Sequence, residues 1–392
     1  MTTLSSDSVS KDLQAYLSVL SQVLLQPEHK APFAAYALGL LSPLPRKSVE
    51  PIAALHCSHP SEVSAKHQHF LHFLGNAKWS DEQIRLTAAR YALSHLEKEA
   101  PIEVSIIDDT GFLKQGKHSV GVKRQYTGSA GKVTPCQVAV SLTLCTKNAH
   151  LPVDMQLYLP TEWVQEEQKR KASKIPHEVT FQTKHKLALG MLTKAKEAGL
   201  PLGVVLADAG YGDGDDFREG ISALSARSKP NQGRLWLVIE ETKEKQTPYK
   251  YYLSNLPKST KPNQLVYLCK ARWRTEQMYR EMKQELGLDH YEGRGYPGWH
   301  HHVSAVLCTY AFVLSQREGA FPPCNEKSGT DEKKRTKNAT TSGRFHRYGV
   351  PSVISGAASL ASHLSHLPTR GSPTSRSASR KRKTQSEGNM TQ

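Results

Sequence analysis

Apolar residues recur at three- and four-residue spacing through the first hundred positions and then change to alternation. Leu13, Tyr16, Leu17, Leu20 and Leu24 make one helical stripe. Ser80-Asp81-Glu82-Gln83 opens another helix, with Ser80 as N-cap and Gln83 at the capping-box position. Its buried face is Ala88, Tyr91, Ala92 and Leu96. Such stripes suit a DNA-reading module or ordinary helix packing. Ala100-Pro101 closes the region, because the residue before a proline is pushed out of the helical conformation.

Strand patterns follow. Pro101 to Asp109 carries Ile102, Val104, Ile106 and Ile107, Ser119 to Tyr126 alternates, and Gln137 to Cys145 places Val138, Val140, Leu142 and Leu144 at period two. Three strands with short connections predict an antiparallel meander. A helix over Thr183 to Ala198 ends at Gly199, and Leu202 to Ala207 reads as a central strand covered on both faces. A helix after Asp215, strands at 234–239 and 249–253, and one long helical stretch over 264–286 complete the pattern. Strands mixed with helices predict an α/β or α+β domain on one mixed sheet. From Phe321 onward periodicity is lost, and 321–392 reads as a disordered basic tail. The organisation expected is therefore an N-terminal helical domain at 1–100, a candidate for DNA binding, a domain at 101–320, and the tail.

Charge sharpens the choice of partner only in part. The 392 residues carry a net +16, which favours a polyanion. The last 66 residues, however, hold 13 Lys/Arg against 3 Asp/Glu, leaving +6 for the rest. Six scattered cysteines without a Cys-x-x-Cys pair argue against a structural zinc site and a disulfide scaffold, and fit a reducing cytoplasm. The N-terminus lacks a basic leader, and the longest apolar run, Val303 to Ser315, is too short to span a bilayer. Neither export nor a membrane partner is expected.

Candidate chemistry lies in carboxylates at strand ends. Asp108-Asp109 close the first strand and Asp208 closes Val204-Val205-Leu206-Ala207. Carboxylates on adjacent strand ends can converge on hard cations such as Mg²⁺. A third element is Arg272-x3-Glu276-x6-Lys283. At 3.6 residues per turn, Glu276 and Lys283 fall about 40° and about 20° from Arg272, while Glu281 falls near 180°. One helix face then presents a carboxylate between two cations, and Glu281→Gln is expected to be silent. His300-His301-His302 reads as an exposed or DNA-facing cluster rather than a metal site. Lys114, Lys117, Lys123 and Arg124 could neutralise phosphates near the acids.

These segments resemble the DDE transposases of bacterial insertion sequences. The residues that carry the resemblance are Ile106-Ile107-Asp108-Asp109-Thr110-Gly111-Phe112, Lys117 to Gly128, Val205-Leu206-Ala207-Asp208-Ala209-Gly210-Tyr211-Gly212, and the Arg272/Glu276/Lys283 spacing of the group with a Tyr-x2-Arg-x3-Glu-x6-Lys signature. The resemblance runs from about Tyr36 to Arg317. It implies an RNase H-like core, two Mg²⁺ ions with Mn²⁺ as a substitute, and cutting and joining of double-stranded DNA at terminal inverted repeats and target sites. By position it assigns Asp109, Asp208 and Glu276 as catalytic, metal-holding residues, with Asp108 as the alternative first acid. Arg272 and Lys283 would touch DNA, with Lys123, Arg124 and Arg280 as further contacts. A homodimer on the DNA ends and a cytoplasmic, nucleoid-associated place in a bacterial cell are also implied. One departure stands out: the signature tyrosine is Cys269, with Tyr267 as the neighbouring substitute. The alternative reading is a catalytically impaired DNA-binding copy that represses transposition. A metal-dependent nuclease without strand transfer is a third.

Overall fold

The structure is a computed structural model describing residues 6–224, 236–242, 245–254, 256–257 and 259–316. The tail expected at 321–392 and the first two residues of the strand expected at 234–239 lie outside the described residues. The chain opens with five helices: α1 (Ser6–Ser21), α2 (Pro27–Leu41), α3 (Val49–Leu55), α4 (Val63–Gly75) and α5 (Asp81–Leu96). Ser80 caps α5 as its sequence promises, its hydroxyl accepting from the Gln83 amide at 3.1 Å. Strands β1 (Val104–Leu113), β2 (Lys123–Thr127), β3 (Lys132–Cys145) and β4 (His150–Tyr158) follow. Then come α6 (Thr161–Gln165), α7 (Glu167–Ala172), α8 (Lys184–Glu197), β5 (Val204–Ala207), α9 (Ala209–Gly212) and α10 (Asp215–Leu224). The hairpin β6 (Trp236–Thr242) and β7 (Lys245–Ser254) precedes α11 (Pro262–Ala271), α12 (Trp273–Leu286) and α13 (Tyr296–Ser315).

The main sheet is mixed. Strand β1 pairs antiparallel with β3 and parallel with β5, and β3 pairs antiparallel with β4. The meander is thus β1-β3-β4, not the three strands first read. Strand β2 lies away from β1, on residues 132–136 of β3: Cys136 pairs with Leu113 of β1 on one edge and Lys123 of β2 on the other, where β3 extends beyond its ladder with β4 and leaves groups to be paired. Strand β5 is outermost among the described strands rather than central. Its unbroken apolar run answers to cover on its two faces. Val204 and Leu206 pack with Leu268 and Tyr267 of α11, whereas Val205 and Ala207 pack against the larger core. Gly203 permits the approach of β5 to β1, since a Cβ there would stand 2.0 Å from the Glu103 carbonyl oxygen.

Helix α13 is the axis of the core. Seventeen successive residues, Gly298 to Leu314, are buried between α2, α4, α5, α12 and β4. One contiguous apolar cluster joins the N-terminal helices, the sheet and α13, so the core crosses the helix-to-strand boundary near residue 100. Each fully buried Leu or Phe in it stabilises by roughly 1.5–3 kcal/mol. No helix among the described residues is long and apolar enough to cross a membrane.

The His300–His302 run is inside, which corrects the exposed cluster read from sequence. His301 stacks on Trp79 with ring centroids 3.8 Å apart. The Tyr36 hydroxyl donates to His302 Nδ1 at 2.9 Å, and Nε2 of the same ring reaches the Gly287 carbonyl at 3.1 Å. His300 lies 3.7 Å from Asp81 of α5. Burial pushes His300 and His302 down to about 4. These rings are packing elements; His301 and His302 found polar partners from distant segments, while the Nε2 of His300 is buried without one.

Candidate active site

The parallel register decides the geometry. Ile107 of β1 aligns with Ala207, the last residue of β5, so Asp208 leaves the end of β5 beside Asp108, which lies within β1 because that strand runs on to Leu113, past the end expected at Asp109. Side chains alternate along a strand, and Asp108 shares its face with Ser141, its cross-strand neighbour on β3. Ser141 hydrogen-bonds the Tyr279 hydroxyl of α12 at 2.5 Å, which identifies this as the face that α12 covers. Asp109 points to the opposite face, where the Lys184 ammonium at the start of α8 donates to it at 2.7 Å.

Arg272 connects the acids to α12. Its Nη2 donates to Asp108 Oδ1 at 3.3 Å and to Asp208 Oδ2 at 3.4 Å, and its Nη1 lies 3.4 Å from Asp208 Oδ1. Asp108 is nearly buried, and desolvation pushes its carboxyl up to about 6 despite the guanidinium beside it. Burial works against the charge on Arg272, but Asp108, Asp208 and Glu276 more than offset it and raise its pKa. Asp208 caps the short α9 by accepting from the Ala209 amide at 2.5 Å.

The helical stretch expected over 264–286 breaks at Arg272, which ends α11 and caps α12 without leaving helical dihedrals (φ −58°, ψ −32°). Glu276 lies one turn further on, exposed, with its charge felt by Arg272. Lys283 is held: its ammonium donates to Thr110 Oγ1 at 2.9 Å and the Gly111 carbonyl at 2.8 Å, and burial lowers its pKa. It ties α12 to β1 two residues beyond Asp108. Arg280 is exposed beside Gln277. Helix α12 ends at Gly287, whose left-handed φ of 67° turns the chain and returns its amide to the Met282 carbonyl.

Other residues singled out from sequence lie elsewhere. Lys123 pairs with Glu162 at 2.7 Å. It aligns with Cys136, five residues along β3 from Ser141, roughly 16 Å from the acids along the strands. Arg124 is exposed beside it and Lys117 is also exposed, while Lys114 donates to the Tyr291 carbonyl. Tyr267, the substitute for the signature tyrosine, gives its hydroxyl to Glu103 at 2.7 Å, beside the N-terminal end of β1 rather than near Asp108. Glu281 does point away from the acids, but into the core. It accepts from the Tyr310 hydroxyl at 2.7 Å and from Gln277 at 3.1 Å, so the expectation of a silent Glu281→Gln is corrected.

Sequence reasoning missed three groups at the site. Lys184 neutralises Asp109, and Tyr279 braces α12 on β3. The Tyr211 hydroxyl is buried without a hydrogen-bond partner, and its burial first, then the charges of Asp109, Asp108 and Asp208, raise its pKa. The only signal for Tyr211 was its place three residues after Asp208. Lys184 and Tyr279 carried no signal.

The donor set is oxygen only. Two carboxylates converge and a third lies on the adjoining helix, a set suited to hard divalent cations. A guanidinium already sits between the first two, so this end of the sheet accommodates positive charge. Among the described residues, no three His, Cys, Asp or Glu side chains close into a complete ligand set. Asp108 and Asp208 therefore form the preformed pair, and Glu276 would have to be brought in by α12.

The family model described as DDE superfamily endonuclease matches residues 19–229, more than half the chain. The chain belongs to that superfamily. A second model, described as Transposase DDE domain, matches residues 181–312, which include α12. A probable transposase for insertion sequence element IS701 from Microchaete diplosiphon is 32% identical over 177 residues, covering 45% of this chain and 41% of that relative. The chain thus spans about two-fifths of the length of the curated relative it matches.

Proposed function

We propose that this DDE superfamily chain is an insertion-sequence transposase that cleaves and joins double-stranded DNA at the element's inverted repeats and at target sites. The observation that carries the reading is the placing of Asp108, within β1, beside Asp208 at the end of the neighbouring parallel strand β5, the two bridged by Arg272, the cap of the helix that carries Glu276. We assign Asp108, Asp208 and Glu276 as the metal-holding set for Mg²⁺, with Mn²⁺ as a substitute. Asp109, the residue assigned from the resemblance, is read instead as the partner that fixes Lys184. Bound ions would activate the attacking water or 3′-hydroxyl and stabilise the leaving oxygen.

The chain's own residues supply the rest. Asp108 and Asp208 hold negative charge where a cation is wanted. Arg272, with Arg280 beside Glu276, offers donors to the scissile backbone, and the planar guanidinium suits phosphate better than an ammonium would. Lys283 keeps α12 against β1, so that the helix that must bring Glu276 in stays beside the strand of Asp108. A homodimer on the DNA ends and a role for the N-terminal helices in reading them belong to the same proposal. The test is incubation of the full chain with a duplex bearing the inverted repeats that flank its gene, with Mg²⁺ or Mn²⁺. Nicking at the repeat ends by the parent chain and none by Asp208→Asn supports the reading. Equal nicking by both contradicts it.

A further inference from the structure

We propose that Arg272 is an exchangeable counter-ion that couples cation binding to DNA binding: it bridges Asp108 and Asp208 until a divalent cation displaces it, and it then turns to a phosphate. The inference rests on the metal-holding role proposed for the two aspartates. Three observations carry it. The guanidinium spans both carboxylates, so it holds the place that a shared cation would take. Its contacts, 3.3–3.4 Å, are about 0.5 Å longer than charge-assisted N–H···O bonds usually are, which describes a group resting between acids rather than clamped to either. Its Nε is buried and unpartnered, so the present arrangement leaves a donor that a phosphate oxygen could take together with an Nη.

The side chain is also placed to move. It is about one-third exposed and sits at the joint between α11 and α12, where the backbone ladder is already interrupted. A cation entering between Asp108 and Asp208 would meet the guanidinium, and their like charges make joint occupancy unfavourable. Release of the guanidinium beside Glu276 adds a free positive group where the DNA backbone would lie. By linkage, a phosphate that holds Arg272 away must tighten cation binding by the same factor that the cation tightens phosphate binding.

The experiment measures Mn²⁺ binding to the full chain by the electron paramagnetic resonance of free Mn²⁺, with and without a random-sequence duplex. Arg272→Gln should bind Mn²⁺ about fivefold or more tightly than the parent without DNA, within the usual range of coupling between sites. Arg272→Lys, which cannot span both carboxylates, should lie between them and carries the test if Arg272→Gln fails to fold. Lys184→Gln removes a similar charge from the opposite face and should change the affinity less than twofold. The tightening that duplex brings to the parent should shrink in Arg272→Gln. Unchanged or weaker Mn²⁺ binding in both Arg272 variants, or an equal gain in Lys184→Gln, overturns the proposal. Asp208→Asn separates the two readings. Lost binding there with no gain in the Arg272 variants defeats only the exchange, whereas unchanged binding there defeats the metal site itself.

Discussion

Two polar clusters in this molecule meet burial in opposite ways. On α13, the His300–His302 rings lie within the core and neutral; His301 and His302 are matched to groups from α4 and α2, and His300 lies 3.7 Å from Asp81 of α5 with its Nε2 unpartnered. Where β5 ends beside the middle of β1, Asp108 and Asp208 face one another across a single guanidinium, and the Tyr211 hydroxyl beside them has no partner. The first cluster gives stability and specifies how helices 6–96 seat on the sheet. The second accumulates like charge where a core would not tolerate it. That accumulation of like charge is what the metal-holding role proposed for the acids accounts for.

Substitution should separate the two clusters most sharply at the acids. Asp208→Asn or Glu276→Gln should lower Mn²⁺-dependent end cleavage by roughly a thousandfold, about 4 kcal/mol of barrier, with the melting temperature within a few degrees of the parent. A large fall in melting temperature with activity retained would place these residues in the packing group instead.

The next effect concerns pH. His300 and His302 titrate near 4 in the folded chain, below the ordinary 6.5 of an exposed imidazole. Between those values the unfolded chain binds more protons, so their contribution is complete above about 6.5 and is lost as pH falls toward 4. Denaturant unfolding at pH 7 and pH 4.5 should show a loss on the order of 2 kcal/mol for each ring. His302→Gln should reduce that difference, and an identical loss in the variant would contradict the assignment.

Glu281→Gln should cost about 1.5–3 kcal/mol, because it weakens a buried charge-assisted bond with Tyr310. Cleavage per folded molecule should fall far less than in Glu276→Gln, five residues away on the same helix. The smallest effect is expected from Lys123→Ala. Its pair with Glu162 lies on the surface, so stability should change by less than about 1 kcal/mol. Cleavage at saturating DNA should be unchanged, given its distance from the acids. A tenfold loss there would extend the active face along β2.

The sequence made the elements legible more readily than their alignment. The capped start of α5 and the end of α8 at Gly199 follow from local chemistry and lie where expected; β3 is a strand as its alternation predicts, but Val138 to Cys145 are buried on both faces rather than one. The choice within Asp108-Asp109 could not be read the same way. Adjacent strand residues face opposite sides, and only the pairing of Ile107 with Ala207 says which one meets Asp208. The histidines misled because a polar run looks exposed until partners such as Tyr36 and the Leu74 carbonyl are brought in from distant segments. The break at Arg272 has no proline or glycine to announce it. Glu281 was placed on the correct side of its helix, but helical phase says nothing about whether that side meets water or Tyr310.

The most direct test compares Asp108→Asn with Asp109→Asn in the full chain, measuring Mn²⁺ binding and inverted-repeat cleavage on the same preparations. The account predicts that Asp108→Asn loses both, while Asp109→Asn keeps Mn²⁺ binding and retains measurable cleavage because only the Lys184 contact is broken. Loss of Mn²⁺ binding and cleavage in Asp109→Asn, with both intact in Asp108→Asn, would contradict the assignment of the α12 face as the active one.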